Sequence, residues 1–169
     1  MNPVSSSVHP LPQSIHFGFA ALHLNDATQQ RSLYSAIHIS PGIVFSTFGA
    51  STILRNPNRF TLQTDDNEHI ILAPEFLQYV NHSCDPNIFF DVTKMQLRSL
   101  KPVMPGDEFT FFYPSTEWDM SEPFECTCGG NSCLQKIRGA RHLPWDVLRK
   151  YELSDFIKRK INQTHLYIA

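Results

Sequence analysis

Apolar positions along this chain come in short runs cut by turn residues, with no long helical stripe before the last quarter. Ile15 to Leu24 mixes apolar and polar residues and reads as a first strand. Arg31 to Phe48 is interrupted by Pro41-Gly42, so Leu33, Ile37 and Ile39 belong to one strand and Ile43, Val44 and Phe45 to the next. Asn56-Pro57-Asn58 marks a turn. Phe60 to Thr64 alternates at period two, and Asp65-Asp66-Asn67 joins it tightly to His69-Ile70-Ile71-Leu72, which predicts a hairpin. Ala73 to Val80 reads as a short helical turn. Met95 to Leu100 is a strand, Pro105-Gly106 a turn, and Phe109 to Phe112 a further strand. Many short strands with Pro/Gly turns predict a mainly β fold, in the β-rich α+β class.

The period changes after Leu143-Pro144. Pro144 suits the first turn of a helix. Trp145, Leu148 and Tyr151 then recur at a spacing of three as its apolar side. Ser154 is placed to cap a second helical piece whose apolar face is Phe156, Ile157 and Ile161. Lys158-Arg159-Lys160 reads as a solvated helix face. At the other end, residues 1–14 hold three Pro and four Ser and read as a flexible tail. The organisation expected is a tail over 1–14, a body over 15–118, a cysteine-rich segment over 119–140 and a helical extension over 141–169.

Composition changes little in this picture. The chain has 169 residues, 41% hydrophobic and 18% charged, which is enough for one core. Its net charge of -2 gives no bulk attraction to nucleic acid, and no run approaches the length of a membrane span. Neither a nucleic-acid nor a membrane partner is expected. A zinc-finger DNA reader is also disfavoured, because the cysteine cluster lacks a basic helix.

The cysteines carry the first chemical signal. Cys126, Cys128 and Cys133 form a C-x-C-x4-C run, and the fourth, Cys84, lies far upstream in Asn81-His82-Ser83-Cys84-Asp85-Pro86-Asn87. Four thiolates complete a tetrahedral zinc site with none left over. Two disulfides, in one of three pairings, or unpaired buried thiols are the alternatives. Disulfides call for secretion, and Met1 to Ser14 has neither a basic start nor an apolar run of signal-peptide length.

Tyr79-Val80-Asn81-His82-Ser83-Cys84-Asp85-Pro86-Asn87 closely resembles the NHSCxPN signature of SET-domain protein-lysine methyltransferases. Gly106-Asp107-Glu108-Phe109-Thr110-Phe111-Phe112-Tyr113 is similar to that family's GEELTFDY segment, and the C-x-C-x4-C run to its post-SET motif. The resemblance covers roughly residues 16–140. It implies several short-stranded sheets with a knot-like crossing near the C-terminus. It also implies a single zinc shared by Cys84, Cys126, Cys128 and Cys133, and S-adenosylmethionine as cofactor. Arg31, Ser32, Asn81, His82, Tyr113, Phe124 and Leu134 would surround that cofactor. Phe48, Phe90 and Phe111 would wall the substrate pocket, and Tyr113 would be catalytic.

The implied reaction is displacement by the ε-amine of a protein lysine, most often in a histone tail, on an activated methyl. The enzyme must supply a neutral amine whose free pKa is about 10.4, and apolar walls favour that form by disfavouring the ammonium. Phe111, two residues before Tyr113 and so on the same strand face, implies di- or trimethylation. A monomer inside the cell is expected, nuclear if the substrate is histone and cytoplasmic otherwise. The alternative is a catalytically weak SET-like module that binds partners and uses zinc structurally. Three departures bear on this choice. The family's G-x-G is replaced in Gln30-Arg31-Ser32-Leu33-Tyr34. Its aspartate before the catalytic tyrosine is Phe112. Its Y-x-G-E stretch is approximated by Phe48-Gly49-Ala50.

Overall fold

The computed structural model describes residues 14–166, with side chains described to Thr164. The tail expected over 1–14 lies outside the described residues, save Ser14. The fold is mainly β, in several small sheets. Strands β1 (Ser14–Phe17), β2 (Ala20–Leu24) and β3 (Arg31–Ser35) form an antiparallel meander. The single strand expected over Ile15–Leu24 is therefore a hairpin. Its turn is at Gly18, where φ is +65°, a conformation glycine adopts without strain. The strand after it also stops early. Ser35 exchanges backbone hydrogen bonds with Gly106 and Asp107, Ile39 meets Val103 in an isolated bridge, and Ile37 is exposed.

A second sheet orders β4 (Val44–Thr47), β10 (Gln96–Ser99) and β9 (Ile88–Asp91) side by side. A third orders β5 (Gly49–Leu54), β7 (Glu68–Ala73) and β6 (Thr61–Asp65), so the expected 60–72 hairpin forms in the expected place. Two of these strands carry weak signals in the sequence. Gly-Ala-Ser-Thr-Ile-Leu lacks a clean alternation because β5 is an edge strand, exposed along most of its length. Ile88-Phe89-Phe90 is an unbroken apolar run because β9 is buried. The helical turn predicted after Ala73 is a 3-10 turn, Glu75–Tyr79. It delivers β8 (Asn81–His82), which pairs in parallel with β11 (Thr110–Phe111).

Phe90, Leu97, Leu33, Ile70, Leu77, Ile88, Val103 and Phe109 are almost fully buried between these sheets. Each such side chain contributes on the order of 1.5–3 kcal/mol of apolar burial. A second core gathers Phe112, Ala140, Leu148, Leu153, Phe156, Ile157 and Ile161, with Trp118, Leu134 and Tyr151 against it. Helix α1 is short (Trp145–Leu148), and Pro144 precedes it as its N-cap. Trp145, assigned above to the apolar side, is instead 53% exposed. Helix α2 (Asp155–Leu166) buries Phe156, Ile157 and Ile161 as predicted, and Ser154 Oγ accepts the Ile157 amide at 3.3 Å. Lys158 pairs with Asp155, Arg159 with Asp65 and Lys160 with Asp66, the last two reaching the β6–β7 turn. Among the described residues no helix is long and apolar enough to cross a membrane.

Candidate active site and metal centre

The segments 81–87 and 108–113 run side by side through the middle of the molecule. Beyond the β8–β11 pairing, Ser83 N donates to Phe111 O and Asn87 N to Thr110 O. Asn87 closes the crossing with its side chain. Its Oδ1 accepts the Thr110 amide and its Nδ2 donates to Glu108 O, both at 2.8 Å. This framework fixes His82 beside Tyr113. His82 Nδ1 accepts the Tyr113 amide at 3.2 Å, so the neutral ring carries its proton on Nε2, 3.4 Å from Cys84 Sγ. Burial holds the imidazole neutral, lowering its pKa to about 4. The Tyr113 hydroxyl donates to Val80 O at 3.2 Å. Burial first, then the charges of Glu117 and Glu108, push the phenol well above its usual range. It therefore works as a hydrogen-bonding group and not as a phenolate.

A cleft of about 610 Å³ opens over this crossing. Ser32, Asn81, His82, Tyr113, Phe124, Phe90 and Phe111, all singled out from sequence, line it. Asn81 Nδ2 reaches Ser32 Oγ at 2.8 Å and Glu108 Oε1 at 2.7 Å, making a polar end. Tyr113 packs between His82 and the aromatic end. Its ring centroid is 5.2 Å from His82 and 4.6 Å from Phe111, which is 4.7 Å from Phe90. Phe124 packs edge-on against both His82 and Tyr113.

Three predicted site residues stand apart from the cleft lining. Arg31 turns to Tyr79, donating to its hydroxyl at 2.6 Å with its guanidinium over the ring. Leu134 packs into the second core. Phe48 is buried behind Phe90, ring centroids 5.4 Å apart, as core packing behind the pocket wall. Another departure from the family pattern also finds its reason. Phe112 does not face the cleft but stacks on Tyr151 at 3.7 Å and 7°, anchoring the C-terminal extension. Tyr151 in turn donates to Cys84 O at 2.9 Å.

The four cysteine sulfurs lie within 4.8 Å of one another, and none is in a disulfide. A tetrahedron of Zn–S bonds of about 2.3 Å has edges of about 3.8 Å, and Cys84 and Cys126 Sγ are 3.9 Å apart. The amides of Leu134 and Gln135 point at Cys84 and Cys133 Sγ, each at 3.4 Å. Burial pushes the Cys126 thiol up to about 11 and Cys84 further still. At Cys128 burial is outweighed by backbone groups of Cys84 and Gly130 and by the Cys126 and Cys133 side chains, which pull it down to about 6. A cation would favour deprotonation of the remaining thiols to thiolates. The donor set fits a zinc ion.

Sequence reasoning passed over two acidic residues on the cleft. Glu108 sits inside the GDEFT stretch and holds Asn81. Glu117 follows Tyr113-Pro114-Ser115-Thr116 and is only 8% exposed, with Oε1 accepting the Gln63 amide at 2.8 Å. Burial lifts its carboxyl to about 7, against the pull of that amide.

A family model described as SET domain matches residues 19–114. Methyltransferase flvH of Aspergillus flavus is 37% identical over 140 residues, covering 82% of this chain and 78% of that protein. A SET and MYND domain-containing protein of Dictyostelium discoideum is 32% identical over 94 residues, 48% of this chain and 27% of that protein. Histone-lysine N-methyltransferase 2B of Homo sapiens is 31% identical over 62 residues, 33% of this chain and 2% of that protein.

Proposed function

The chain belongs to the SET domain family, and from that premise we propose that it is a protein-lysine N-methyltransferase that uses S-adenosylmethionine and one structural zinc. When bound, the cofactor supplies a methyl group activated on a sulfonium. Ser32, Asn81, His82, Tyr113 and Phe124 are the residues that would hold it. Asn81 and Ser32 would supply polar groups for its charged and hydrogen-bonding parts, and Tyr113 and Phe124 would supply aromatic surface.

The observation that carries this reading is one cleft with a polar end at Asn81 and an aromatic end at Phe90 and Phe111, and with Tyr113 packed between His82 and Phe111. The aromatic end, Phe90 and Phe111, suits the four-carbon stem of a lysine and excludes water from its amine. The Tyr113 hydroxyl, kept protonated, orients that amine. The names of two relatives, Histone-lysine N-methyltransferase 2B and Histone-lysine N-methyltransferase mes-4 of Caenorhabditis elegans, support lysine as the target. They also make a histone tail the first substrate to try. A histone substrate would place the enzyme in the nucleus, another protein in the cytoplasm. Phe111 carries no hydroxyl to hold a water beside Tyr113, which supports di- or trimethyl-lysine as the expected product.

Loss of the family's two glycines at Gln30 and Ser32 favours the second reading, a catalytically weak SET-like module. Two measurements separate them. S-adenosylmethionine at about 100 times its dissociation constant raises the stability of an active enzyme by about 2.7 kcal/mol, which a thermal melt detects. Labelled methyl transfer onto histones and onto total cell extract then finds the substrate. No thermal shift and no labelled protein would leave only the binding module.

A further inference from the structure

Resting on the lysine reading above, we propose that Glu117 receives the substrate's ε-ammonium in the cleft and takes its proton before methyl transfer. Lysine arrives as the ammonium, which has no lone pair to attack with. In this step an ammonium N–H bond breaks and its electron pair stays on nitrogen. An O–H bond forms on the free oxygen of the Glu117 carboxylate. The resulting acid returns its proton to water in the cleft after the product leaves.

Glu117 is more than nine-tenths buried and lines the same cleft as Tyr113, Phe111 and Phe90. It is also rigidly mounted. Oε1 accepts the Gln63 amide, and the Gln63 side chain accepts the amide of the next residue, Trp118, at 2.9 Å. That clamp uses one carboxyl oxygen. Among the described residues no protein donor reaches the other, and no lysine, arginine or histidine pairs with the group. A buried carboxylate without a cation is costly, and an incoming ammonium supplies the missing partner.

The other acids on the cleft are differently placed. Glu108 is engaged by Asn81. Glu122 and Glu125 are exposed on the cysteine segment, where Glu125 lies 3.7 Å from Lys136. The remaining ionisable groups around Glu117 are few. Tyr113 stays protonated. Arg59 sits on the cleft wall with its guanidinium over the Phe60 ring. His69, opposite Gln63 on β7, is held neutral by burial. Lys160 lies over the Trp118 ring and pairs with Asp66. Burial also leaves the Glu117 carboxyl titrating near neutrality, which suits a group that must take and release a proton at working pH.

The test uses the full chain with its metal and compares wild type with Glu117→Gln, which keeps an oxygen for the Gln63 amide. Methylation of a lysine peptide is followed from pH 6 to 10, alongside binding of that peptide and of one with norleucine in place of the target lysine. The variant is expected to bind S-adenosylmethionine and the norleucine peptide as wild type does. It should bind the lysine peptide more weakly and turn over about 10²-fold slower at pH 7. That deficit should shrink as pH approaches the amine's own value of about 10.4. Wild-type rates across the whole pH range, or a pH-independent deficit with both peptides weakened alike, would overturn the role of Glu117 alone. Wild-type protein that methylates no lysine at all would overturn the lysine reading and Glu117's role with it.

Discussion

The crossing at 81–87 and 108–113 and the cysteine segment at 119–137 both border the cleft, yet they are held in place by different forces. In the crossing, Phe109 and Phe112 are at most 2% exposed, and the backbone is paired on both sides. In the cysteine segment, most residues from Ser121 to Gln135 are exposed or half-exposed. Regular pairing there is limited to β12 (Phe124–Glu125) against β13 (Lys136–Ile137). One region is fixed by apolar burial. The other has too little apolar burial for that, and four thiols converge at its centre instead. The cleft thus joins a wall fixed by apolar burial to a wall that, on the proposed zinc reading, depends on an ion.

The largest expected effect follows directly. Structural zinc in zinc-finger peptides binds with about 10–16 kcal/mol of apparent free energy, so removing it should release the cysteine segment while sparing the crossing. Elemental analysis should give about one zinc per chain. After chelation, hydrogen exchange should rise across 120–136 and stay slow at Asn81–His82 and Thr110–Phe111, and cofactor binding should be lost. Unchanged exchange in the cysteine segment would mean the two regions are held alike. A Cys84→Ser protein that keeps its zinc would remove Cys84 from the ligand set.

The next effect belongs to the buried side. The carboxyl of Glu117 titrates near 7 when folded, against an ordinary 4.5. Between these values the folded chain keeps a proton that the unfolded chain has released, so its contribution is fully present below about pH 4.5 and is lost as pH rises through 7. At about 1.4 kcal/mol per pH unit, the loss is about 3 kcal/mol. Burial of His82 and His69 slopes the opposite way on the acid side of neutrality. The informative quantity is therefore the difference between wild type and Glu117→Gln, measured by denaturant unfolding from pH 4 to 8. Parallel curves would show that Glu117 is solvated like the acids of the cysteine segment.

Tyr113→Phe sharpens the contrast from the catalytic side. It removes one hydroxyl and its 3.2 Å bond to Val80 O, which should cost about 1 kcal/mol of stability at most. Turnover should fall by about 10²-fold, or about 2.7 kcal/mol of barrier, with cofactor affinity retained. Wild-type turnover would show that the crossing supplies only packing at this position.

What the sequence made legible divides along the same line. The Asp65-Asp66-Asn67 turn and the Ser154 cap act through neighbours in the chain, so residue types alone specify them. The cysteine spacing and the NHSC stretch stand out because a rare chemistry demands those residues together. The parallel pairing of two-residue strands β8 and β11 is set by tertiary packing across a long loop, and no local pattern announces it. Arg31, Phe48 and Leu134 have the chemistry expected near a cofactor or pocket, and their packing on Tyr79, Phe90 and the second core is set by residues distant in the sequence. Glu117 carries no periodic or compositional mark, because burial of a single carboxylate is decided by the clamp from Gln63.

A smaller effect tests whether the C-terminal extension belongs with the buried side. Ser154→Ala removes the α2 cap and should cost about 1 kcal/mol. Because α2 packs with Phe112, and Tyr151 beside it holds Cys84 O, the loss should appear as cooperative destabilisation of the whole fold. Fraying confined to residues 155–166 would show that the extension is a separate layer.

The smallest change in free energy is expected at Phe111, and it reads the buried wall at the scale of one methyl group. Phe111 is 7% exposed, and its ring lies 4.6 Å from Tyr113 and 4.7 Å from Phe90. Phe111 ends β11 and Tyr113 opens a 3-10 turn, Tyr113–Ser115, so the turn and not strand alternation brings the two rings together. A hydroxyl added at the far end of this ring needs a partner. Water drawn in to satisfy it would take the space that, on the proposed reading, a second methyl needs, whereas phenylalanine has no group to hold such a water. Phe111→Tyr should therefore keep the fold, keep the first methyl transfer within about tenfold of wild type, and shift the product toward monomethyl-lysine. A change of about 1.4 kcal/mol between successive transfers suffices for a tenfold shift in product ratio. Mass spectrometry of one substrate peptide over a long reaction decides it. A wild type that stops at monomethyl-lysine would show that the pocket is already filled, and that Phe111 acts only as core beside Phe90.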